Sequence, residues 1–523
     1  MKTRLDDLIH AMSDPTVYPH RPESVHVIQT HISVVFIAGD LVYKVKKPVD
    51  FGFLNFTTLE KRRHFCRQEV LLNSRFSEGV YLGVVSIYQH GSEVNLRGEG
   101  DEIETAVLMR RIPADRVLEA MLENEDVTDR ILDRVADRVA FFHSTAASGP
   151  EITGFGSVEV VTQNLRENFE QTQRFVGLTV DAYTHREISD RAFDWLESNR
   201  NLLKERMTKG FIRDCHGDLH LDHVVILNGI MLVDCIEFND RFRFSDTAAD
   251  LAFLLMDFDF KGFPAFGNRI ARRYSQTSGD RDVSNLIGFY KSYRAFVRGK
   301  VNSFSLEEEE VSESEKTIAR EKAREYFRLA SASLRPAPGP FLVVTAGLSG
   351  SGKSYLSSRL GRRLGTDPIR SDVVRKQSMG IPINQHRLDM YGQGIYTPKA
   401  TEQTYRLLMD RAGGLLRRGE SVILDASFMR YQDRVEAREE AHKAGARFVL
   451  VECVVPECVA RRRLEARVAE RNEPSDARWE IFLQQKSRFE AIRRDERQFH
   501  RQWDSTSDVN RFLTALVRDL MAG

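Results

Sequence analysis

The sequence predicts an α/β protein with more than one domain, the last of which contains a doubly wound parallel sheet. The chain has 523 residues, and single hydrophobic cores stop growing at roughly 250 to 300 residues. After residue 341, strand and helix patterns alternate as they do in parallel sheets with covering helices. A proline-rich stretch, SASLRPAPGP (331–340), precedes this region. We therefore predict domains over residues 1–335 and 341–523, joined by an extended spacer.

Composition excludes several classes of protein. Lys plus Arg and Asp plus Glu number 76 each, so the net charge gives no global attraction to nucleic acid or to a membrane surface. The N-terminus lacks the apolar run of a secretory signal, and no stretch approaches the ~18 apolar residues of a membrane span. The cysteines contain no CxxC pair, which favours free thiols in a reducing compartment. We expect a cytoplasmic protein that does not enter a membrane. The five cysteines are Cys66, Cys215, Cys235, Cys453 and Cys458.

The segment before the proline-rich stretch is highly charged. Residues 306–330 have the pattern of a charged helix with apolar positions near its end. The acidic run Glu307–Glu310 would suit the positive end of the helix dipole. We therefore predict that this helix begins at the acidic run.

The motif GLSGSGKS lies at residues 347–354, between a predicted strand, FLVVTA, and a predicted helix, YLSSRLGRRLG. It satisfies G-x-x-x-x-G-K-[ST] in the strand-to-helix setting that this motif requires. Main-chain amides of such a loop cradle phosphate oxygens, and the helix N-terminus adds a favourable field. We predict a P-loop NTPase fold that binds ATP, with a glycine-rich turn without a ligand as the alternative. Lys353 is expected to reach the terminal phosphates and Ser354 to hold Mg²⁺. The predicted cofactor-binding residues are Gly347, Leu348, Ser349, Gly350, Ser351, Gly352, Lys353 and Ser354.

Further polar residues follow the later strands of this half. Asp425 ends the apolar strand VILD, which is the position of a second carboxylate beside Mg²⁺. Arg463, Arg467 and Arg471 recur at i, i+4 and i+8, and so share one helix face. We predict that this face closes over the phosphates as a lid. The alternative is a solvated helix face.

The glycine-rich loop, the D-x-x-R of Asp372 and Arg375, the segment VILDASF and the arginine helix together resemble one group of enzymes. This group comprises P-loop small-molecule and polynucleotide kinases and includes phage polynucleotide kinases and zeta toxins. The resemblance implies that Asp372 accepts the proton of the acceptor hydroxyl and that Arg375 contacts the acceptor or a phosphate. A groove of basic and aromatic residues is missing, so a nucleic-acid acceptor is less favoured than a small molecule.

The N-terminal half contains a second motif, HGDLHLDH (216–223). It is followed by a short strand, VVIL, a turn at Asn228 and Gly229, and a strand, IMLVD, that ends at Asp234. Such a hairpin brings Asp218 and Asp234 to the same end of the sheet. We predict that Asp218 is the catalytic carboxylate and that Asp234 holds the metal ion, the division found in protein-kinase-like sites.

Upstream residues supply a nucleotide-binding half for this site. LVYKVKKP predicts a strand with Lys44 and Lys46 on one face, and FCRQEVLLNSRF predicts a helix that contains Glu69. A strand lysine can grip the phosphates while a helix glutamate steadies it. Lys44 fits the lysine position and Lys46 is the alternative. The order Lys, Glu, His-x-Asp, Asp along the chain is the basis of this prediction.

These motifs resemble the aminoglycoside phosphotransferase and choline kinase superfamily. Its most recognisable segments are HGDLH and DTAADLAFLLMD, which contains Asp246 and Asp250. The whole chain resembles the bacterial two-domain proteins known as bifunctional aminoglycoside phosphotransferase and ATP-binding proteins. The resemblance implies a protein-kinase-like (α+β) fold for the N-terminal domain, without establishing an antibiotic as substrate.

One residue departs from the superfamily pattern. Five residues after Asp218, the resemblance implies an asparagine that binds a second Mg²⁺, and His223 stands there. Imidazole suits Mg²⁺ poorly. The site would then bind a single metal ion, bind a softer ion, or have lost catalysis. A rival interpretation groups His216, His220 and His223 as a transition-metal cluster on one helix face, although Gly217 argues against such a helix.

The two motifs together predict an ATP-dependent phosphotransferase with two nucleotide sites, which transfers the γ-phosphate to hydroxyl groups of a small polar acceptor. Mg²⁺ and ATP are the expected cofactors. One alternative is an N-terminal ligand sensor that regulates a C-terminal kinase. Another is a polynucleotide 5′-hydroxyl kinase, whose binding would fall steeply with salt.

Overall fold

The structure, a computed structural model, describes residues 2–308, 311–383, 394–470 and 479–522. The chain divides into two compact units. The first comprises Met1–Phe258 and Gly267–Leu334, and the second comprises Asp259–Phe266 and Arg335–Gly523. The second unit thus includes a short segment that lies within the first predicted domain. Among the described helices, none combines the length and apolarity needed to cross a membrane.

The first unit begins with helix α1 (Lys2–Met12) and a six-stranded antiparallel sheet. The strands are β1 (Val25–Gln29), β2 (Ser33–Ala38), β3 (Leu41–Lys46), β4 (Tyr81–His90), β5 (Glu93–Asn95) and β6 (Asp101–Arg110), arranged in the order β1-β2-β3-β6-β4-β5. Alternate residues of β2 and β3, including Val34, Phe36, Tyr43 and Val45, are buried in one apolar cluster. This two-residue period is what a half-buried strand requires. Helix α2 (Leu59–Asn73), capped by Thr58, contacts β4 and β6.

The following region is mainly helical. Two short antiparallel strand pairs, β7 with β10 and β8 with β9, interrupt the helices. These strands are β7 (Ile212–Asp214), β8 (Val224–Ile226), β9 (Ile230–Leu232) and β10 (Phe244–Asp246). The helices are α3 (Leu118–Glu123), α4 (Asp129–Thr145), α5 (Pro150–Thr153), α6 (Val158–Thr172), α7 (Ala182–Ser198), α8 (Arg200–Thr208), α9 (Asp240–Arg243), α10 (Thr247–Phe260), α11 (Pro264–Ser278), α12 (Val283–Phe304) and α13 (Glu313–Ser333). A sheet followed by helices is the α+β arrangement expected for this half.

The charged helix begins later than the sequence predicts. Helix α13 starts at Glu313, because Ser312 and Glu315 form a capping box. The Ser312 hydroxyl accepts a hydrogen bond from the Glu315 amide, and the Glu315 carboxylate accepts one from the Ser312 amide. These bonds satisfy amides that would otherwise lack partners at the helix start. The prediction of a helix start at Glu307–Glu310 was therefore wrong, and Glu309 and Glu310 lie outside the described residues.

The second unit contains a parallel sheet of five strands in the order β12-β13-β11-β14-β15. The strands are β11 (Phe341–Ala346), β12 (Ile369–Arg370), β13 (Val422–Asp425), β14 (Arg447–Val454) and β15 (His500–Asp504). The helices are α14 (Lys353–Leu364), α15 (Ser371–Ser378), α16 (Pro398–Arg417), α17 (Tyr431–Lys443), α18 (Glu457–Glu470), α19 (Trp479–Arg488) and α20 (Val509–Met521).

Helices cover both faces of this sheet. Leu342 and Val344 of β11 pack into a core that includes residues of α16 and α17. Val343 packs into a second core with Leu356 of α14 and Leu516 of α20. The central strand is therefore buried on both sides, which explains why FLVVTA is apolar throughout rather than alternating. The predicted doubly wound parallel sheet is confirmed.

Candidate active sites

The HGDLHLDH segment forms a loop between β7 and β8 that is held in place by Asp250 of α10. The buried Asp250 carboxylate accepts hydrogen bonds from the main-chain amides of His216, at 3.1 Å, and Gly217, at 2.8 Å. It also lies 3.1 Å from Nε2 of His143. Gly217 has φ +84°, and a Cβ there would lie 2.9 Å from the carbonyl oxygen of Phe242. Close approach of the main chain therefore requires glycine at this position.

Asp218 presents its carboxylate beside two histidine rings. Its Oδ2 lies 3.5 Å from Nε2 of His220 and 3.7 Å from Nδ1 of His223. Burial acts to raise the pKa of Asp218, but the neighbouring His220 and His223 rings outweigh it and hold that pKa well below the ordinary range. The Asp218 carboxylate is thus ionised at neutral pH, as an acceptor of protons or of hydrogen bonds must be.

Asp234 follows β9 with an unusual main-chain conformation. Its φ is +61°, in the left-handed region that aspartate tolerates better than most residues do. The Asp234 amide donates to the hydroxyl of Tyr81, at 3.1 Å. Strained conformations of this kind persist where the surrounding structure enforces them, often at functional sites. Burial acts to raise the pKa of Asp234, but Lys44 and other neighbouring groups lower it overall.

Lys44 and Lys46 both reach Glu69, yet their surroundings differ. Nζ of Lys44 lies 2.6 Å from Oδ1 of Asp234 and 2.9 Å from Glu69. Nζ of Lys46 lies 2.7 Å from Glu69 and also contacts Glu237, and its side chain is only 1% exposed. Lys44 is therefore the lysine that shares the Asp234 carboxylate, as a phosphate-binding lysine would. Lys46 is a buried lysine between two carboxylates.

His223 bridges the two predicted carboxylates of this site. Its Nδ1 lies 2.7 Å from the carbonyl oxygen of Asp218, and its Nε2 lies 3.7 Å from Oδ2 of Asp234. Burial and the neighbouring His220 lower the pKa of His223 to about 4, so the ring is neutral at pH 7. The structure thus brings together Lys44, Glu69, Asp218, His223 and Asp234, all of the site residues predicted in the first domain.

In the second unit, the predicted phosphate-binding loop joins β11 to α14 at the carboxyl edge of the parallel sheet. Gly347 has φ +133°, and a Cβ there would lie 2.4 Å from the carbonyl oxygen of Cys453. Nζ of Lys353 donates to the carbonyl of Leu348 within the same loop, at 2.8 Å. The amide of Ser349 donates to Oε1 of Gln485, at 2.7 Å. β11 is the central strand, with β12 and β13 on one side of it and β14 and β15 on the other. The loop after β11 therefore lies at a topological switch point, where such sheets bind ligands.

Asp425 is the centre of a polar cluster beside this loop. Burial raises the pKa of the Asp425 carboxyl and the nearby Asp372 adds to this effect, while the Ser354 hydroxyl, Lys353 and Arg370 oppose it. Arg370 donates to Asp372, with Nη2 2.9 Å from Oδ2, and its Nε lies 3.7 Å from Asp425. Asp372 stands in the first turn of α15, directly after β12. The structure thus brings Lys353, Ser354, Asp372 and Asp425 together.

The predicted arginines have different surroundings. The guanidinium of Arg375 lies 4.8 Å from the centre of the Tyr396 ring, and its Nε has no hydrogen-bond partner in the described part of the chain. Arg463 donates to the hydroxyl of Ser505, at 2.7 Å, and to the Gly350 carbonyl of the phosphate-binding loop, at 3.4 Å. Arg463 is therefore beside the loop. Arg467 belongs to α18, but its side chain is outside the description, and Arg471 lies outside the described residues.

Family models match both halves of the chain. Residues 87–285 match a model described as phosphotransferase enzyme family, and residues 342–492 match one described as AAA domain. The uncharacterized protein Rv2004c of Mycobacterium tuberculosis is 31% identical over 444 residues, which are 85% of this chain and 86% of that protein. The uncharacterized protein Mb2027c of Mycobacterium bovis matches to the same extent. Both domains are therefore shared with relatives along most of the chain.

The chain belongs to the bifunctional aminoglycoside phosphotransferase and ATP-binding protein family. Solved structures resemble this family member in part. A choline/ethanolamine kinase family protein from Mesorhizobium loti is 12% identical with a TM-score of 0.36, covering 63% of this chain and 99% of that one. A gluconokinase from Sinorhizobium meliloti is 19% identical with a TM-score of 0.25, covering 35% of this chain and 92% of that one.

Kinase families of this kind use ATP with a divalent cation, and the two domains of this family member would offer such a cation different ligands. In the C-terminal domain, the Ser354 hydroxyl and the Asp425 carboxylate are oxygen donors, which fit Mg²⁺. In the N-terminal domain, Asp234 is an oxygen donor, but Nε2 of His223 is a nitrogen donor. The donor set of the C-terminal site therefore fits Mg²⁺ better than that of the N-terminal site.

Three residues of this family member that contact the candidate sites were not identified from the sequence. Glu237 pairs with Lys46, Asp250 anchors the 216–223 loop, and Arg370 links Asp372 to Asp425. Asp250 stands in the recognised segment DTAADLAFLLMD, which could have identified it as an anchor. Arg370 lies two residues before Asp372, but that spacing indicates no particular contact. Glu237 carries no sequence signal that separates it from a surface glutamate.

Proposed function

We propose that the protein is an ATP-dependent kinase with one nucleotide site in each domain, and that it transfers the γ-phosphate to a hydroxyl group of a small polar acceptor. The observation that supports this most strongly is common to both domains. Each pairs a carboxylate that can accept a proton with a second carboxylate beside a lysine. These pairs are Asp218 with Asp234, next to Lys44, and Asp372 with Asp425, next to Lys353.

In the N-terminal site, Lys44 would bind phosphate oxygens while Glu69 keeps its ammonium group in place. The Asp218 carboxylate would hydrogen-bond to the acceptor hydroxyl and take its proton as the new oxygen–phosphorus bond forms. The bond between the γ-phosphorus and the bridging oxygen breaks in the same transfer, and ADP leaves with the electron pair. Asp234 would hold the divalent cation, which neutralises charge on the phosphates.

In the C-terminal site, main-chain amides of residues 347–354 would surround the phosphates, and Lys353 would add a positive charge. Ser354 and Asp425 would hold Mg²⁺. Asp372 would accept the proton of the acceptor, and its ion pair with Arg370 would keep the carboxylate oriented. Arg463 would contact the nucleotide from α18, and its hydrogen bond to the Gly350 carbonyl supports this role.

The experiment is phosphoryl transfer from γ-labelled ATP to a panel of small polar alcohols and a small-molecule extract. Asp218→Asn and Asp372→Asn are expected to remove different labelled products, and the double variant should remove both. Asp222→Asn and Asp367→Asn are matched controls, because both residues are exposed and lie close in sequence to the tested ones. Label transfer that survives the double variant would contradict the proposal.

A regulatory role for the N-terminal domain is the second candidate, and His223 is the observation that favours it. If this domain senses a ligand without catalysis, Asp218→Asn should leave all labelled products unchanged. Adding the ligand should then alter the rate of the Asp372-dependent transfer. A labelled product that depends on Asp218 would decide against this role.

A further inference from the structure

The orientation of the His223 ring determines which of its nitrogens can bind a cation. Nδ1 lies 2.7 Å from the Asp218 carbonyl oxygen. A carbonyl oxygen can only accept a hydrogen bond, so Nδ1 must have the hydrogen. The other nitrogen, Nε2, is then the one that can bind a cation. It is also the nitrogen nearest Asp234.

Nε2 of His223 and Oδ2 of Asp234 lie 3.7 Å apart. Both atoms are of types that serve as metal ligands, and an ion bound between them would contact both. Metal–nitrogen and metal–oxygen bonds of about 2.0 to 2.2 Å put neighbouring ligands of one ion about 3 to 4 Å apart. The observed separation therefore suits two ligands of a single metal ion.

The rest of the Asp234 side chain is compatible with this arrangement. Its other oxygen, Oδ1, is 2.6 Å from Nζ of Lys44, so Oδ2 is the oxygen available to a metal ion. The Asp234 side chain is 44% exposed, and that of His223 is 15% exposed. An ion at this position could therefore keep water or phosphate oxygens as its remaining ligands. The hydrogen bond from Nδ1 to the Asp218 carbonyl fixes the ring, as the hydrogen bond of the other ring nitrogen does in metal-bound histidines.

We propose that the N-terminal site binds a first-row transition cation through Nε2 of His223 and Oδ2 of Asp234, in preference to Mg²⁺. Imidazole is a good ligand for Mn²⁺, Fe²⁺, Co²⁺ and Zn²⁺, whereas Mg²⁺ strongly prefers oxygen. The C-terminal site, with a hydroxyl and a carboxylate, keeps its preference for Mg²⁺. This inference rests on the proposed function, because it assigns a cation to the N-terminal nucleotide site.

The alternative cluster of Asp218, His220 and His223 is less favourable. Their ligand atoms lie within 4.8 Å of one another. However, the His223 nitrogen next to Oδ2 of Asp218 is Nδ1, at 3.7 Å. That nitrogen has a hydrogen that it donates to the carbonyl, so it has no lone pair for a metal ion. This cluster would need the ring to turn over and lose its hydrogen bond.

The test is pulsed electron paramagnetic resonance of Mn²⁺ bound to the full-length protein with ADP. Lys353→Ala is introduced throughout to weaken binding at the C-terminal site, whose oxygen ligands would give no nitrogen coupling. We expect a ¹⁴N coupling from a bound histidine, and its replacement by a ¹⁵N coupling when the protein is labelled with ¹⁵N-histidine. The isotope experiment needs no change at His223, so it does not depend on the folding of a variant.

Variants then identify the ligand. His223→Asn should remove the nitrogen coupling, because an amide oxygen would replace the imidazole nitrogen as the ligand. His220→Asn should keep the coupling. Three results would each overturn the proposal. They are Mn²⁺ that binds without a nitrogen coupling, Mn²⁺ binding that does not depend on Asp234, and a coupling that is lost in His220→Asn but not in His223→Asn.

Phosphoryl transfer is measured on the same samples, which separates the two proposals. Nitrogen coupling without Asp218-dependent transfer would leave the metal site standing and contradict N-terminal catalysis. Asp218-dependent transfer with no nitrogen coupling would support catalysis and contradict the metal site.

Discussion

The two proposed sites distribute similar tasks over the chain in different ways. In the C-terminal domain, eight consecutive residues, 347–354, form the predicted phosphate-binding loop, and much of its chemistry would belong to the main chain. In the N-terminal domain, side chains from β3, α2, the 216–223 loop and the segment after β9 must converge. A local loop depends on local conformation, whereas a convergent site depends on the packing of the whole domain. Substitutions should therefore separate function from stability in the C-terminal site more cleanly than in the N-terminal one.

The largest effect is expected at Lys46. Lys46→Ala removes the buried ammonium group that pairs with Glu69 and Glu237. Breaking a buried ion pair in this way lowers the free energy of unfolding by about 3 to 5 kcal/mol. The measurement is hydrogen exchange of the β3 amides in the full-length chain, which reports the stability of this domain. Lys47→Ala, at a half-buried neighbour, is the matched control and should change exchange little. Equal exchange in the two variants would show that the buried pairs contribute nothing.

Lys353→Ala should separate function from stability. Removing a group that stabilises charge in the transition state costs about 100- to 1,000-fold in rate. In an Asp218→Ala background, the remaining transfer should fall by this factor while the thermal unfolding of the C-terminal domain hardly changes. Lys443→Ala is the control, because the Lys443 side chain is 68% exposed on α17. A marked loss of stability in Lys353→Ala would remove the contrast between the domains.

Asp250 should link pH to the stability of the N-terminal domain. Burial acts to raise the pKa of this carboxyl, but the hydrogen bond with His143 and neighbouring charges lower it to about 2. The folded-state pKa is below the unfolded value, so the ionised group stabilises the fold above about pH 4, and this contribution is lost as pH falls toward 2. Its size is about 2 kcal/mol.

Asp250→Asn should therefore destabilise the domain at pH 7 and lose less stability than the wild type between about pH 5 and 2. Thermal unfolding across this pH range measures both effects. Asp194→Asn, at an exposed residue of α7, is the control and should follow the wild-type profile. Parallel pH profiles for Asp250→Asn and the wild type would contradict the assignment of Asp250 as the charged anchor.

The smallest effect is expected at Arg463. Its hydrogen bonds to Ser505 and to the Gly350 carbonyl place it beside the phosphate-binding loop. Arg463→Ala should weaken ATP binding to the C-terminal site by about 1 kcal/mol, roughly fivefold. Arg461→Ala is the matched control, because Arg461 lies on the same helix but pairs with Glu465 at the surface. Titration calorimetry of both variants gives the comparison, and equal affinities would argue against a lid at Arg463.

Sequence reasoning was most complete where the relevant interactions are local. The strand, loop and helix around residues 347–354 lie where the pattern predicts them. The start of α13 was missed, because the Ser312 capping box determines it rather than the acidic run that precedes it. A capping box is itself a local signal, so this boundary could have been read from Ser312 and Glu315.

The sequence by itself determined the kinase-like and P-loop folds of the two halves and predicted the phosphate-binding loop, because these patterns are formed by residues that are close along the chain. Only the tertiary structure distinguishes the surroundings of Lys44 and Lys46, since both lie on one face of β3 and only their contacts with Asp234 and Glu237 separate them. It also decided which nitrogen of His223 faces Asp234. These choices depend on atoms from segments up to 191 residues apart, whose distances are set by packing and not by spacing in the sequence.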